Sequence, residues 1–194
     1  MTQSNLILGS GSPYRAALLE RLGIAFEQRA PDIDERPVAG EAPADYVRRL
    51  AENKARAAAV DTVDALVIGC DQIACLDGTI IGKPHDETAA VAQLQRASGR
   101  CVRFLVGLAL HDTRTAHTDS RVEHIDAHFR ELESTEIERY IQRERPFDCA
   151  GSFRAEGLGI SLFRRLEGDD PNTLIGLPLI ALCDMLRDRG WALP

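Results

Sequence analysis

Residues 6–15 constrain the fold of this chain most strongly, because an apolar run, Leu-Ile-Leu, passes through a Gly/Ser turn directly into a helical pattern. Ser12 fits the N-cap of that helix, and Pro13 fits its first turn, where a missing N–H costs nothing. A helix N-terminus presents unpaired N–H groups and the positive end of the helix dipole, so this junction can seat a phosphate. Arg15 lies beside the same spot and can bind a phosphate through two hydrogen bonds. A capped βα turn without a ligand is the alternative interpretation, since short Gly/Ser turns are common.

The overall charge limits the kinds of molecule that this protein can bind over a large surface. The 194 residues carry a formal net charge of −7 with a pI near 5.3, which argues against a protein that coats nucleic acid or an anionic membrane. An anionic substrate would therefore be met by a local basic cluster. The length suits one domain spanning residues 1–194, with room for two lobes. The sequence does not fix the oligomeric state, and a homodimer is compatible with it.

Cysteine usage and the N-terminal composition predict a cytoplasmic protein. The N-terminal residues lack the basic and apolar regions of a signal peptide, and no stretch approaches the length of a membrane span. The five cysteines are scattered and form no Cys-x-x-Cys pair. This pattern favours reduced, mostly buried thiols over a disulfide framework or a zinc site.

The hydrophobic periodicity alternates strands with helices, which predicts an α/β fold. We expect an elongated mixed sheet flanked by helices, with antiparallel pairing in the second half and two lobes around a central cleft. After the first strand, strands are predicted over residues 24–30, 66–69, 73–76, 79–81, 103–111 and 118–129, with a glycine-rich, strand-like stretch over 151–163. Helices are predicted over 14–22, 43–60, 87–97, 134–143 and 178–189.

Charged residues stand where the predicted elements end, and their types suit a polyphosphate with a divalent metal. Arg15, Lys54 and Lys83 can neutralise phosphate oxygens, while Glu35, in an acidic loop over residues 31–37, and Asp71 can hold Mg²⁺. A remaining carboxylate can orient or deprotonate an attacking water.

Each of these candidates also has a structural interpretation. Asp71 can cap a turn at the end of a buried strand, Lys54 can be a solvated helix lysine, and residues 82–84 can form a solvated turn. The Gly-x-x-x-x-Gly-Lys-Ser/Thr pattern of a Walker A loop is absent. The five histidines show no metal-ligand spacing, and Ser10 and Ser12 have no evident histidine partner, which argues against a serine hydrolase.

Taken together, these segments resemble the Maf family of nucleoside triphosphate pyrophosphatases over nearly the whole chain. The resemblance rests on six short motifs in order, LGSGSPYR at 8–15, DE at 34–35, ENKA at 52–55, GCDQ at 69–72, GKP at 82–84 and GLP at 176–178. Two further motifs, FDCAGSFRAEGLG at 147–159 and EGDDPNTL at 167–174, resemble the branch that acts on 7-methyl-GTP rather than on dTTP and UTP. The chain departs from the family at Gly9, where alanine is usual, and at Tyr14, where this branch often has tryptophan.

The resemblance implies hydrolysis of the α–β phosphoanhydride, giving a nucleoside monophosphate and pyrophosphate with a divalent cation, Mg²⁺ or Mn²⁺. By position, Asp71 would activate the water and, with Glu35, would bind the metal. The phosphates would be bound by Ser10, Arg15, Lys54 and Lys83. The choice of base would depend on Tyr14, Gln72 and Glu156.

The base-site residues also suit 7-methylguanine on physical grounds. Methylation at N7 gives the base a delocalised positive charge, which an aromatic face such as Tyr14 and a carboxylate such as Glu156 would attract. The Gln72 amide can bind another edge of the base, whereas an exposed charge on a glycine-rich stretch is the structural interpretation of Glu156. Another modified nucleoside triphosphate stays open as the substrate. A different class of function, a nucleotide-binding regulator of cell division with weak or incidental hydrolysis, is the alternative.

Overall fold

Seven strands form one mixed sheet in the computed structural model, which describes residues 5–193. The strand order is β2-β1-β3-β5-β6-β7, with β4 paired to β3. β1 runs parallel to β2 and β3, and the remaining pairs are antiparallel. The strands are β1 (Asn5–Gly9), β2 (Glu27–Arg29), β3 (Ala65–Leu76), β4 (Thr79–Ile81), β5 (Cys101–Asp112), β6 (His117–Phe129) and β7 (Phe163–Glu167). The predicted α/β class, with antiparallel pairing in the second half, is confirmed.

Five helices flank this sheet. They are α1 (Pro13–Glu20), α2 (Pro43–Ala58), α3 (Glu87–Ala97), α4 (Ser134–Glu144) and α5 (Leu179–Asp188). The cap predicted for α1 is confirmed, since the Ser12 side chain accepts a hydrogen bond from the Arg15 backbone N–H. None of the helices within residues 5–193 is both long enough and apolar enough to cross a membrane.

The strand β3 corrects one prediction that bears directly on function. Residues 66–76 were expected as two short strands with Asp71 in a loop between them, but β3 is continuous and pairs with β5 through ten consecutive positions. Asp71 therefore lies mid-strand, opposite Gly107. A buried carboxylate is tolerated within a strand when it has a charged partner, and α2 supplies that partner in Lys54.

Three other predictions differ from the structure. The stretch predicted as strand over 151–163 instead contains two short 3₁₀ helices (Ala150–Ser152 and Leu158–Leu162) joined by a turn, and only Phe163 belongs to a strand, the first residue of β7. Positive φ values of 74° at Gly151 and 60° at Ser152 break an extended strand. The second strand is shorter than predicted, since only Glu27–Arg29 pairs with β1. The five cysteines are free, as predicted, but only Cys70 and Cys75 are buried.

Two apolar cores divide the molecule into two lobes that share the long strands. One core joins α1 and α5 to the first half of β3 and the second half of β5. The other joins α3 and α4 to the opposite halves of the same strands. Asp71 and Gln72 stand on β3 between the two cores. The predicted cleft between two lobes is thus confirmed, and it crosses the sheet at these polar residues.

Helix α2 lies directly on the sheet because two glycines leave room for its backbone. A Cβ atom at Gly69 on β3 would lie 2.0 Å from the carbonyl oxygen of Ala51. A Cβ atom at Gly107 on β5 would lie 2.1 Å from the carbonyl oxygen of Val47. Both distances are far below van der Waals contact, and backbone atoms cannot move aside as a side chain can. This close approach brings Lys54 of α2 to Asp71 of β3.

We expect Gly69→Ala to lower the free energy of unfolding by about 3 kcal/mol, because the added methyl group would push α2 off the sheet. The matched control is Gly82→Ala, whose added Cβ meets no atom within 4 Å. Urea denaturation of both variants and the unmodified protein measures the difference. Equal unfolding midpoints for all three proteins would contradict the proposed role of this close approach.

Candidate active site

The cleft contains two adjoining cavities, of about 490 and 370 Å³. The larger one lies over the middle of β3, and the smaller one lies at the N-terminus of α1. Together they bring all nine predicted site residues into one region. The larger cavity is lined by Tyr14, Arg15, Glu35, Lys54, Asp71, Gln72, Lys83 and Glu156, and the smaller one adds Ser10.

The centre of the site is an ammonium group held between two carboxylates. Lys54 Nζ lies 2.6 Å from Asp71 Oδ1 and 2.7 Å from Glu35 Oε1. The side chains of Lys54 and Asp71 are only 12% and 11% exposed, whereas that of Glu35 is 56% exposed. Asp71 Oδ2 receives no hydrogen bond from residues 5–193 and is available to a ligand or a water.

The pKa of Lys54 follows from the same geometry. Burial of the ammonium group lowers it, but the attraction of Asp71 and Glu35 outweighs burial, so the net pKa lies above its ordinary value. Lys54 is therefore protonated throughout the neutral range. Two of its three N–H donors go to the carboxylates, which leaves the third for an oxygen of a bound molecule.

The turn that precedes α1 is held by Arg15. Its Nη1 donates to Cys70 O at 3.1 Å and to Ser10 Oγ at 3.3 Å, and its Nε donates to Gly176 O at 2.9 Å. Arg15 thus connects the turn, β3 and the segment before α5. Its Nη2 has no acceptor among the residues that the structure describes, and it is the part of the guanidinium left for an anion. If Arg15 binds a phosphate through two hydrogen bonds, as predicted, both would have to be donated by Nη2.

Lys83 faces both cavities from the segment after β4. Its side chain is exposed and forms no ion pair with any described residue, unlike Lys54. A free ammonium group beside the α1 N-terminus gives this side of the cleft a positive character.

Tyr14, Gln72 and Glu156 line the larger cavity, and Tyr14 lines the smaller one as well. Gln72 Nε2 donates to the carbonyl oxygens of Thr173 and Leu174, both at 3.0 Å. These bonds occupy its amide donors and leave Oε1 as an acceptor for a ligand. Burial raises the pKa of Tyr14, with Arg154 opposing and the Glu156 carboxylate adding to the rise, so Tyr14 stays protonated at neutral pH.

Further residues that were not predicted as site residues also line the larger cavity, and four of them are notable. Tyr46 donates a hydrogen bond to the carbonyl oxygen of Glu35, Asp148 lines both cavities, and Phe104 and Phe153 form an edge-to-face pair with ring centroids 5.1 Å apart. Phe153 and Asp148 lie in the motif at 147–159, on which the family resemblance partly rests, but neither was predicted individually. Tyr46 and Phe104 lack any sequence signal, because both follow the apolar periodicity of their elements.

The acidic residues of the cleft suit a hard divalent cation that completes its coordination elsewhere. No group of three or more His, Cys, Asp or Glu side chains within residues 5–193 could hold a metal by itself. Asp71 and Glu35 nevertheless contact the same Lys54 Nζ and keep one carboxylate oxygen each outside the Lys54 bonds. Mg²⁺ is typically bound by one or two carboxylates together with waters and substrate phosphates, so the donor set fits.

The site as a whole combines cationic side chains, a paired carboxylate centre and aromatic rings. This arrangement can hold an anionic chain, present a carboxylate oxygen to a water, and enclose a planar group. A comparison with protein-family models finds one match, to the Maf-like protein model, over residues 5–189. Members of that family are generally nucleotide pyrophosphatases. Because the match covers nearly all of the described residues, this chain belongs to the Maf family.

Proposed function

We propose that this protein hydrolyses 7-methyl-GTP to 7-methyl-GMP and pyrophosphate, and so removes a modified nucleotide from the cytoplasmic pool. One observation carries the proposal. The Asp71–Lys54–Glu35 centre lines one cavity together with the cations Arg15 and Lys83 and with Tyr14 and Glu156. A nucleoside triphosphate offers a group for each of these: phosphates for the cations, a reacting phosphorus for the carboxylates, and a base for Tyr14 and Glu156.

The chemistry assigned to the centre is attack of water on the α-phosphorus. Asp71 Oδ2 takes a proton from the water, the new P–O bond forms at the α-phosphorus, and the bond from that phosphorus to the bridging oxygen breaks. The electron pair leaves with pyrophosphate. Lys83, Arg15 Nη2 and the third N–H of Lys54 offset the charge of the phosphates, together with N–H groups at the α1 N-terminus.

A divalent cation fits this scheme as a cofactor. Glu35 and Asp71 would hold Mg²⁺ or Mn²⁺, which would neutralise charge on the phosphates when bound. Lys54 lies within hydrogen-bond distance of both carboxylates and keeps them directed to the same point. Its raised pKa supports this role at any pH near neutrality.

The base assignment rests on the character of the acceptors. Glu156 and Gln72 Oε1 can both accept hydrogen bonds, since the donors of the Gln72 amide are already used, and this suits the N1–H and N2–H₂ donors of guanine. A positively charged 7-methylguanine gains further from the Glu156 carboxylate and from the face of Tyr14. Unmodified GTP offers the same donors but lacks the positive charge, so it should be the poorer substrate.

We expect Asp71→Asn to lower kcat for 7-methyl-GTP at least about 100-fold, because the amide cannot take the proton of the attacking water. Pyrophosphate release measures the rate, and a thermal melt verifies that the variant is folded. The control is Asp61→Asn, which makes the same change at an exposed position outside both cavities. Turnover by Asp71→Asn at the rate of this control would show that Asp71 is not the proton acceptor.

We expect Glu156→Gln to lower the preference for 7-methyl-GTP over GTP about tenfold, since a charge-assisted contact is replaced by a neutral one. The preference is the ratio of kcat/KM values for the two nucleotides in pyrophosphate release. Glu138→Gln, an exposed change on α4, should leave the ratio unaltered. The base-site assignment fails if the ratio is the same in both variants.

A further inference from the structure

We propose that Tyr46 is a positioning residue, whose hydroxyl group holds the Glu35 main chain so that the Glu35 carboxylate meets Lys54. The proposal rests on the proposed function, because it treats the Lys54–Asp71–Glu35 centre as the reaction centre. The three residues of this centre are not held equally firmly by the fold. Asp71 lies in the middle of a buried strand and Lys54 on a packed helix, whereas Glu35 lies in the exposed acidic loop.

The acidic loop has no regular secondary structure to fix Glu35. It lies within residues 30–42, which belong to no helix or strand and are mostly exposed. The Glu35 side chain is 56% exposed and meets the centre through the single contact with Lys54. A solvated ion pair of this kind contributes little by itself. The position of the carboxylate therefore depends on what holds the backbone at residue 35.

Tyr46 and Arg49 of α2 hold two consecutive carbonyl groups of the loop. Tyr46 Oη donates to Glu35 O at 2.8 Å, and Arg49 Nη2 donates to Arg36 O at 3.2 Å. Arg49 also binds both carboxylate oxygens of Glu41, at 2.6 and 2.7 Å, where the chain returns to α2. Its guanidinium lies 5.5 Å from the centroid of the Tyr46 ring. The loop is thus attached to α2 at its middle and at its end.

The helical repeat explains why α2 can do this. Tyr46 and Lys54 are eight residues apart, so they lie on one face of the helix about 12 Å apart along its axis. Lys54 contacts the Glu35 side chain, and Tyr46 contacts the Glu35 main chain. One helix face therefore holds one loop residue at two points. A tyrosine hydroxyl is protonated at neutral pH, so Tyr46 can donate the hydrogen bond to Glu35 O.

The decisive variant is Tyr46→Phe, which removes the hydroxyl group and keeps the ring against the cavity wall. We expect kcat to fall about fivefold, the effect of one hydrogen bond, while KM for 7-methyl-GTP stays within about twofold of its original value. In the ligand-free protein, amide exchange over residues 34–38 should become faster, while exchange in β3 stays unchanged. Arg48→Gln is the control, because Arg48 is on the same helix and pairs with Asp45 instead of the loop.

A double-mutant cycle separates positioning from direct action. If Tyr46 acts through Glu35, then Tyr46→Phe should cost nothing further in kcat once Glu35 has been changed to Gln. A full fivefold loss in the Glu35→Gln background would overturn the proposal, and so would unchanged exchange over residues 34–38 in Tyr46→Phe. The exchange measurement needs no substrate. If the unmodified protein hydrolysed no nucleotide, the proposed function would fail while the exchange result would still decide whether Tyr46 holds the loop.

Discussion

The close approach of α2 to the sheet is the constraint on which the site depends. At Gly69 and Gly107 no strand side chain separates the sheet from the helix, and the helix backbone fills that space. At this distance Lys54 reaches Asp71, and the ammonium group makes a carboxylate acceptable in the middle of a buried strand. The same helix face carries Tyr46, which reaches over the cleft to the acidic loop. The close approach of α2 therefore underlies the packing of the helix, the pairing of Lys54 with Asp71 and the attachment of the acidic loop.

The two-lobed shape follows from the length of β3, β5 and β6. β3 and β5 each take part in both apolar cores, β6 adds residues to the second core, and the polar residues of β3 between the cores line the cleft. A ligand lying across the strands would therefore touch both lobes. The cavity at the N-terminus of α1 is lined by the cations Arg15, Lys54 and Lys83, and the larger cavity adds the rings of Phe104 and Phe153.

Much of the fold and the composition of the site were predictable from the sequence, while the geometry was not. Apolar periodicity gave α3 with its observed bounds and α2 to within two residues, because both helices carry a clear buried stripe. It failed at β3, where Asp71 interrupts an apolar run and looks like the end of a strand, since its partner Lys54 is 17 residues away in the chain. The prediction of a strand-like stretch at 151–163 was wrong for another reason. The positive φ angles that break it cannot be inferred from the hydropathy of the residues. Tyr46 was missed because a tyrosine on a helix looks like an ordinary packing residue until its hydroxyl partner is known.

The proposed reaction is the attack of water on the α-phosphorus of a triphosphate whose base is bound beside Tyr14 and Glu156. The most direct test is hydrolysis of 7-methyl-GTP in ¹⁸O-labelled water with Mg²⁺, followed by mass spectrometry of the products. The account predicts 7-methyl-GMP carrying one ¹⁸O atom, together with unlabelled pyrophosphate. Label in the pyrophosphate, release of single phosphates, or no hydrolysis under these conditions would contradict it.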